Sequence, residues 1–209
     1  MIATMSELAL RAFLTLFVVV DPIGIAPVFI ALAGGRPSEE RSRIARKAVG
    51  VAGMVLLGFA LFGSWLFDRL GISMDAFRIA GGVLLFRIAV GMVLAAHERE
   101  TREEQEEARS RHDVSVFPLA IPLIAGPGAL ASVMILVAQA GADLRRQLVV
   151  VAMAALVLLL TWLALRLSAV LGRLLHRTGV NVVTRVLGVL LAALAVQYVA
   201  DGVRGLLAR

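Results

Sequence analysis

The sequence predicts an all-α membrane protein with six transmembrane helices, arranged as two inverted three-helix repeats in which the first helix of each repeat is broken. Three observations predict this fold. The 209 residues are 60% apolar and only 17% charged, six apolar segments are long enough to cross a bilayer, and two of them are interrupted at matching places. Soluble globular domains carry about a quarter charged residues, so the composition excludes that class.

Crossing the hydrocarbon core takes about 20 residues of helix. The predicted spans are residues 8–33, 44–67, 72–95, 114–140, 147–171 and 181–206. A basic link is predicted between Arg166 and Arg185. Residues 68–71 form a tight turn, from which we expect the second and third spans to be antiparallel neighbours.

The loop between the third and fourth spans differs in character, because Glu and Arg alternate along it. Such a pattern is typical of a solvated linker. We therefore divide the chain into a first three-helix repeat (residues 1–95), a hydrophilic charged linker (96–113) and a second three-helix repeat (114–209).

The first break lies inside the first apolar segment. Asp21 places a charge near the middle of a span, and Pro22, Gly24 and Pro27 disfavour a continuous helix. The second break follows about a hundred residues later, at Ala125-Gly126-Pro127-Gly128. Two interrupted hydrophobic segments at corresponding places in two halves are typical of a transporter's binding site.

Unwound backbone survives in a membrane only where it lines a cavity or is buried in protein. The ends of half-helices expose N–H groups that suit a carboxylate and carbonyls that suit a cation or an ammonium, so a zwitterion fits both. The predicted substrate-binding residues are Asp21, Pro22, Gly24, Pro27, Gly126, Pro127, Gly128 and Ser132.

Asp21 has three interpretations: a proton or cation carrier, a ligand for a substrate ammonium, or a structural cap. Asp is a strong helix N-cap and Pro is favoured directly after it, so the structural interpretation has weight. Arg87 lies deep in the third span, where an arginine needs a partner, and Asp21 is the candidate charge partner.

The two halves resemble each other in sequence. Arg78-Ile79-Ala80-Gly81 corresponds to Arg185-Val186-Leu187-Gly188 at nearly the same offset as the two breaks. Because each half holds three spans, the second half enters the membrane upside down relative to the first. Lys and Arg are concentrated in the links after the first, third and fifth spans, which predicts that both termini face outward.

The sequence lacks the groups that several functions require. It contains no cysteine, its histidines have no partner at metal-ligand spacing, and no catalytic constellation is present. We therefore expect no enzyme activity, no metal and no cofactor, with a coupling H⁺ or Na⁺ left open. The basic residues lie in short loops, which indicates membrane topology and no nucleic acid.

Three motifs resemble the MarC family of bacterial inner-membrane proteins. They are residues 21–29 (Asp-Pro-Ile-Gly-Ile-Ala-Pro-Val-Phe), 76–82 (Ala-Phe-Arg-Ile-Ala-Gly-Gly) and 118–128 (Pro-Leu-Ala-Ile-Pro-Leu-Ile-Ala-Gly-Pro-Gly). The resemblance implies six spans, a relation to the amino-acid exporters of the LysE superfamily, transport of neutral amino acids and a location in the bacterial inner membrane. Ile25 stands where the family often has Asn, and Arg87 where an apolar residue is expected.

Two functions remain open at this point. The first is a secondary transporter of small solutes, with neutral amino acids as the expected substrates, working by alternating access at the broken helices. The second is a membrane protein with a structural or envelope-maintenance role and no transport. The expected partners are the lipid bilayer and a small-molecule substrate, and the sequence leaves homo-oligomerisation open.

Overall fold

The computed structural model describes residues 4–94 and 114–208, and the predicted linker, 96–113, lies outside them. The described residues form helices joined by short turns. The helices are α1 (Met5–Val20), α2 (Pro22–Ala33), α3 (Ser38–Leu70), α4 (Met74–Leu94), α5 (Ser115–Ile124), α6 (Pro127–Ala140), α7 (Leu144–Arg166) and α8 (Ser168–Leu207).

The membrane spans agree with the sequence prediction. By length and composition the described residues contain five candidate spans, or six when α5 and α6, bent by 52° at their junction, are counted as one. The segment α5 is irregular because Phe117 and Ile121 are extended. Each precedes a proline, and proline disfavours helical backbone in the residue before it. The chain is therefore an all-α, multi-pass membrane protein.

Two helices are longer than a bilayer requires. α3 has 33 residues, about 50 Å of helix, and begins in the charged stretch after Pro37, as expected for a helix that starts in water. α8 has 40 residues, about 60 Å. The predicted link between Arg166 and Arg185 is wrong, because the helix already resumes at Ser168. That stretch contains no proline to stop it.

The third and sixth spans, α4 and α8, pack along each other more extensively than any other described pair of helices. Glycines bring the two backbones together: a Cβ on Gly82 would meet the carbonyl of Ala195 at 2.7 Å, and one on Gly188 would meet Met92 Cβ at 2.8 Å. Small residues allow such close approach of helices in lipid.

The expectation that the second and third spans are neighbours is wrong. After the turn at Gly71, α3 packs against α5, α6 and α7, whereas α4 packs against α8 and α6. The rings of Phe67 and Phe77, 4.4 Å apart, join α3 and α4 near the turn. The short turn fixes only the ends of the helices, and the glycine-lined contact with α8 determines where α4 goes.

The most enclosed helix is α6. It contacts α1, α3, α4 and α7, and its residues from Ala131 to Leu136 are all buried. Large apolar side chains are exposed on the outer faces of α3, α4, α7 and α8, as expected for surfaces that face lipid. The helix that begins at the second break is therefore surrounded by four other helices.

Candidate functional site

The first break is made by one residue. Asp21 has left-handed backbone angles (φ 46°, ψ 68°) and ends α1 while capping α2. Asp is among the few non-glycine residues that adopt this conformation readily. Its Oδ1 accepts a hydrogen bond from the Gly24 amide at 3.0 Å, and Pro22 occupies the first turn of α2. The structural interpretation of Asp21 as an N-cap is thus confirmed.

The cap is enclosed by two further groups. The Thr184 hydroxyl of α8 donates to Asp21 Oδ2 at 3.3 Å, and the Asp21 residue is only 8% exposed. A Cβ on Gly24 would overlap the Asp21 carboxylate and lie 3.1 Å from Thr184 Oγ1. Gly24 is therefore required to leave room for the carboxylate. Thr184 is a further site residue, which no local sequence pattern singles out.

The break also frees acceptors at the end of α1. In a continuous helix the carbonyls of Val18 and Val20 accept from the amides four residues later. Pro22 has no amide hydrogen, and the Gly24 amide is bonded to the Asp21 carboxylate. Both carbonyls are thus released from the helical pattern next to a buried carboxylate, a set of acceptors that suits a cation or an ammonium.

The second break has the opposite chemistry. α6 begins at Pro127 after Gly126, which supplies no side-chain cap. The Gly126 carbonyl accepts from the Leu130 amide at 3.0 Å. Because the first amides of a helix have no helical partner, the amides at this end remain available as donors, and the helix dipole adds positive potential there.

Ser132 lies on the same helix, about one turn after the Gly128 and Ala129 amides. It is 0% exposed, and its Oγ has no hydrogen-bond partner in the described part of the chain. Buried polar groups are almost always paired, so the unpaired Ser132 hydroxyl is a place where a bound molecule or a water can supply the partner.

The two breaks meet. A Cβ on Gly128 would lie 3.3 Å from Val19 Cγ1 at the end of α1, and close to Leu85 and Ile88 of α4. The equivalent elements of an inverted repeat are expected to converge, with residues 22–27 facing residues 126–131; in the structure it is the end of α1 that lies against the start of α6. The end of α1 contacts α6, while α2 packs against α7 and α8, because Asp21 redirects the chain.

The predicted site residues differ in burial. Asp21, Pro22, Gly126, Gly128 and Ser132 are buried and Gly24 is partly buried, whereas the rings of Pro27 and Pro127 are exposed on the surfaces of α2 and α6. Pro127 starts α6 directly beside Gly128, and Pro27 lies inside α2, so the two prolines shape the backbone with their rings turned away from the bundle. Arg87 is also exposed, next to the Ile88 that touches Gly128. Its pairing with Asp21 stays a prediction.

Two other features lie outside the predicted site. A cavity of about 210 Å³ is lined by residues of α3, α6 and α7 together with Met74, and none of the predicted substrate-binding residues borders it. Among the described residues no cluster of three acidic or histidine side chains could hold a metal ion. The candidate site is therefore the junction of the two breaks, built from backbone groups and the polar side chains of Asp21, Thr184 and Ser132.

The chain is similar to proteins across bacteria and archaea. The family described as "MarC family integral membrane protein" matches residues 6–207. A "UPF0056 membrane protein" of Methanocaldococcus jannaschii is 42% identical over 94% of this chain and 96% of the relative. "UPF0056 membrane protein YvbG" of Bacillus subtilis is 37% identical over 97% of each chain, and "UPF0056 membrane protein YhcE" of Escherichia coli is 35% identical over 94% and 92%.

No solved structure matches the chain. The family match covers nearly all of the sequence, including both breaks and both helices of the α4–α8 contact. The chain belongs to the MarC family of integral membrane proteins.

Proposed function

We propose that this protein is a secondary transporter of neutral amino acids that binds its substrate where the two helix breaks meet. One observation carries the proposal: two half-helix ends of opposite chemistry lie together in the bundle. One end presents the buried Asp21 carboxylate, and the other presents uncapped amides and the unpaired Ser132 hydroxyl.

These groups match the two ends of a zwitterion. In this proposal the substrate ammonium binds the Asp21 carboxylate and the carbonyls released at the end of α1. The substrate carboxylate binds the amides at the start of α6 and the Ser132 hydroxyl. A solute that lacks either charge leaves one half-site unpaired in a low-dielectric setting, which favours zwitterions.

The packing supports an inverted repeat. In such a repeat α1 corresponds to α5, α2 to α6, α3 to α7 and α4 to α8. The contact of α1 with α7 then corresponds to that of α5 with α3, and both are present. The contact of α2 with α8 corresponds to that of α6 with α4, and both are again present. Transporters built this way alternate access by rocking one unit against another about a fixed site.

We further propose that the protein lies in the cytoplasmic (inner) membrane with both termini outside, from the distribution of Lys and Arg. The sequence has no cysteine, so an introduced cysteine is the only thiol that can react. Cysteines replacing Ser110, in the linker, and Arg145, at the start of α7, are expected to react with an impermeant thiol reagent from opposite sides. Labelling of both from one side contradicts the orientation.

The direct test of transport is flux in proteoliposomes. The purified protein is reconstituted, and uptake and efflux of labelled alanine, leucine and serine are measured with no gradient, a proton gradient and a sodium gradient. We expect saturable flux above that of protein-free vesicles, and the gradient that drives accumulation identifies the coupling ion. Absence of flux for every amino acid in both directions contradicts the proposal.

The second candidate is a structural or envelope-maintenance role without transport. The observation in its favour is that Asp21 already has a structural task, because it caps α2 through the Gly24 amide. This role does not account for Ser132, whose buried hydroxyl has no partner among the described residues. A deletion strain with a weakened envelope that is rescued by a flux-deficient variant would favour this alternative.

A further inference from the structure

A second polar cluster lies in the α4–α8 contact, toward the start of α4. Arg78 Nη1 donates to Asp75 Oδ1 at 2.9 Å, and the two side chains are 23% and 13% exposed. Glycines of α8 make room for this pair: a Cβ on Gly205 would strike the Asp75 carboxylate, and one on Gly202 would lie 3.2 Å from Arg78 Cβ. The pair is therefore held against the backbone of α8.

The guanidinium is only partly used by Asp75. Arg78 Nε is buried and has no hydrogen-bond partner within the described residues. Arginine has five N–H donors in a planar fork that matches a carboxylate with two parallel hydrogen bonds. A buried N–H of an ion is costly to leave unpaired, so the arrangement favours an acceptor that is not part of the chain.

A buried tyrosine lies in the same region of the α4–α8 contact. Tyr198 is 4% exposed, and Thr15 of α1, Arg11 and Arg78 are close enough to act on its hydroxyl. The nearby Asp201 is already engaged, since it accepts from Gln197 Nε2 at 2.7 Å and lies 4.0 Å from Arg204 Nη1. The positive charges of Arg11 and Arg78 and the negative charge of Asp201 thus all act on Tyr198.

We propose that Arg78, with Tyr198 beside it, forms a second solute site that binds a carboxylate group. The site is separate from the helix breaks: Thr15 precedes Asp21 by six residues, about 9 Å along α1, which is more than one small amino acid spans. As a station on the path of a transported amino acid the site rests on the proposed function, but its affinity for carboxylates can be measured without transport.

The test is carboxylate binding by the full-length purified protein in detergent. Propionate is the probe, and propionamide, which has nearly the same shape and no charge, is the matched control at constant ionic strength. The melting temperature is recorded against the concentration of each. Propionate is expected to raise it to a plateau and propionamide to leave it unchanged. Equal responses to the two compounds overturn the proposal.

The responsible group is identified with three variants. Asp75→Asn with Arg78→Gln removes both charges and leaves no unpaired ion; the apparent Kd for propionate should rise by about tenfold or more, the value of one charge-assisted hydrogen bond. Arg78→Lys keeps the charge and loses the fork, so it should also weaken binding. Gly50→Ala in α3, where nothing lies within 4 Å of the added Cβ, should not change it. Wild-type affinity in a folded Arg78→Lys protein, or in the double variant, overturns the proposal.

The outcomes also separate this site from the proposed function. Propionate binding that depends on Arg78, in a protein that moves no amino acid in proteoliposomes, keeps the site and removes the transporter proposal. Amino-acid flux by a protein that does not bind propionate keeps the transporter proposal and removes the carboxylate site at Arg78.

Discussion

Gly24→Ala tests the construction of the first break. Gly24 is the third residue of α2, and its amide donates to the Asp21 carboxylate. A Cβ at this position would overlap that carboxylate and crowd the Thr184 hydroxyl at 3.1 Å. Because Asp21 and the helix backbone both hold their places through the cap, the added methyl group must displace the carboxylate.

The size of the effect follows from three contributions. Loss of an N-cap hydrogen bond costs about 1 kcal/mol, and overpacking a well-packed site costs about 1–3 kcal/mol. Replacing glycine by alanine inside a helix returns about 1 kcal/mol. The variant is therefore expected to lose roughly 1–3 kcal/mol of unfolding free energy, the sum of these terms.

The assay is unfolding by SDS titration in mixed micelles, followed by circular dichroism. Gly50→Ala in α3 is the matched control, because nothing lies within 4 Å of its added Cβ; it should gain about 0.5–1 kcal/mol. A Gly24→Ala protein as stable as the wild type, or one stabilised like the control, would refute the packing argument for the cap.

Two further predictions concern single polar groups. Ser132→Ala removes an unpaired buried hydroxyl, so the unfolding free energy should be unchanged or higher by about 1 kcal/mol, while the KM for amino-acid flux should rise. The control Thr161→Ala deletes a hydroxyl bonded to the Val157 carbonyl at 2.8 Å and should lower the unfolding free energy. Equal losses of stability in the two variants would contradict the role assigned to Ser132. If Arg87 is coupled to Asp21, Arg87→Leu should destabilise the protein and Asp21→Asn should partly restore it, whereas additive losses in the unfolding assay would exclude the pairing.

The features predicted correctly from the sequence are those determined by local chemistry. Asp is a preferred N-cap and Pro a preferred first helical residue, so a break at Asp21 and Pro22 is predicted from two adjacent residues. Gly126 and Pro127 likewise begin α6. The spans follow from the length of apolar segments, which lipid requires of any chain.

The features predicted wrongly depend on packing between distant segments. A tight turn at Gly71 suggested that α3 and α4 pack together, but the close contact of Gly82 with α8 outweighs the connection. The hydrogen bond from Thr184 to Asp21 joins residues 163 positions apart, and no local pattern marks Thr184. Sequence periodicity identifies a helix and its faces, whereas the partner of each face depends on all the other helices at once.

The continuation of α8 through the predicted link has a different cause. Basic residues between apolar segments indicate a loop at the membrane surface, but arginine is also a good helix former. With no proline between Arg166 and Arg185, the helix can emerge from the bilayer without ending. Charge reports where the membrane surface lies and does not report whether the helix stops there.

The central claim is that the charge of Asp21 serves transport as well as capping, and Asp21→Asn tests it most directly. Asn caps helices about as well as Asp and also adopts left-handed backbone, so the variant should fold and remain monodisperse. We predict that an imposed ion gradient drives accumulation of a neutral amino acid by the reconstituted wild-type protein and not by the Asp21→Asn protein. Equal gradient-driven accumulation by the two proteins would contradict the claim.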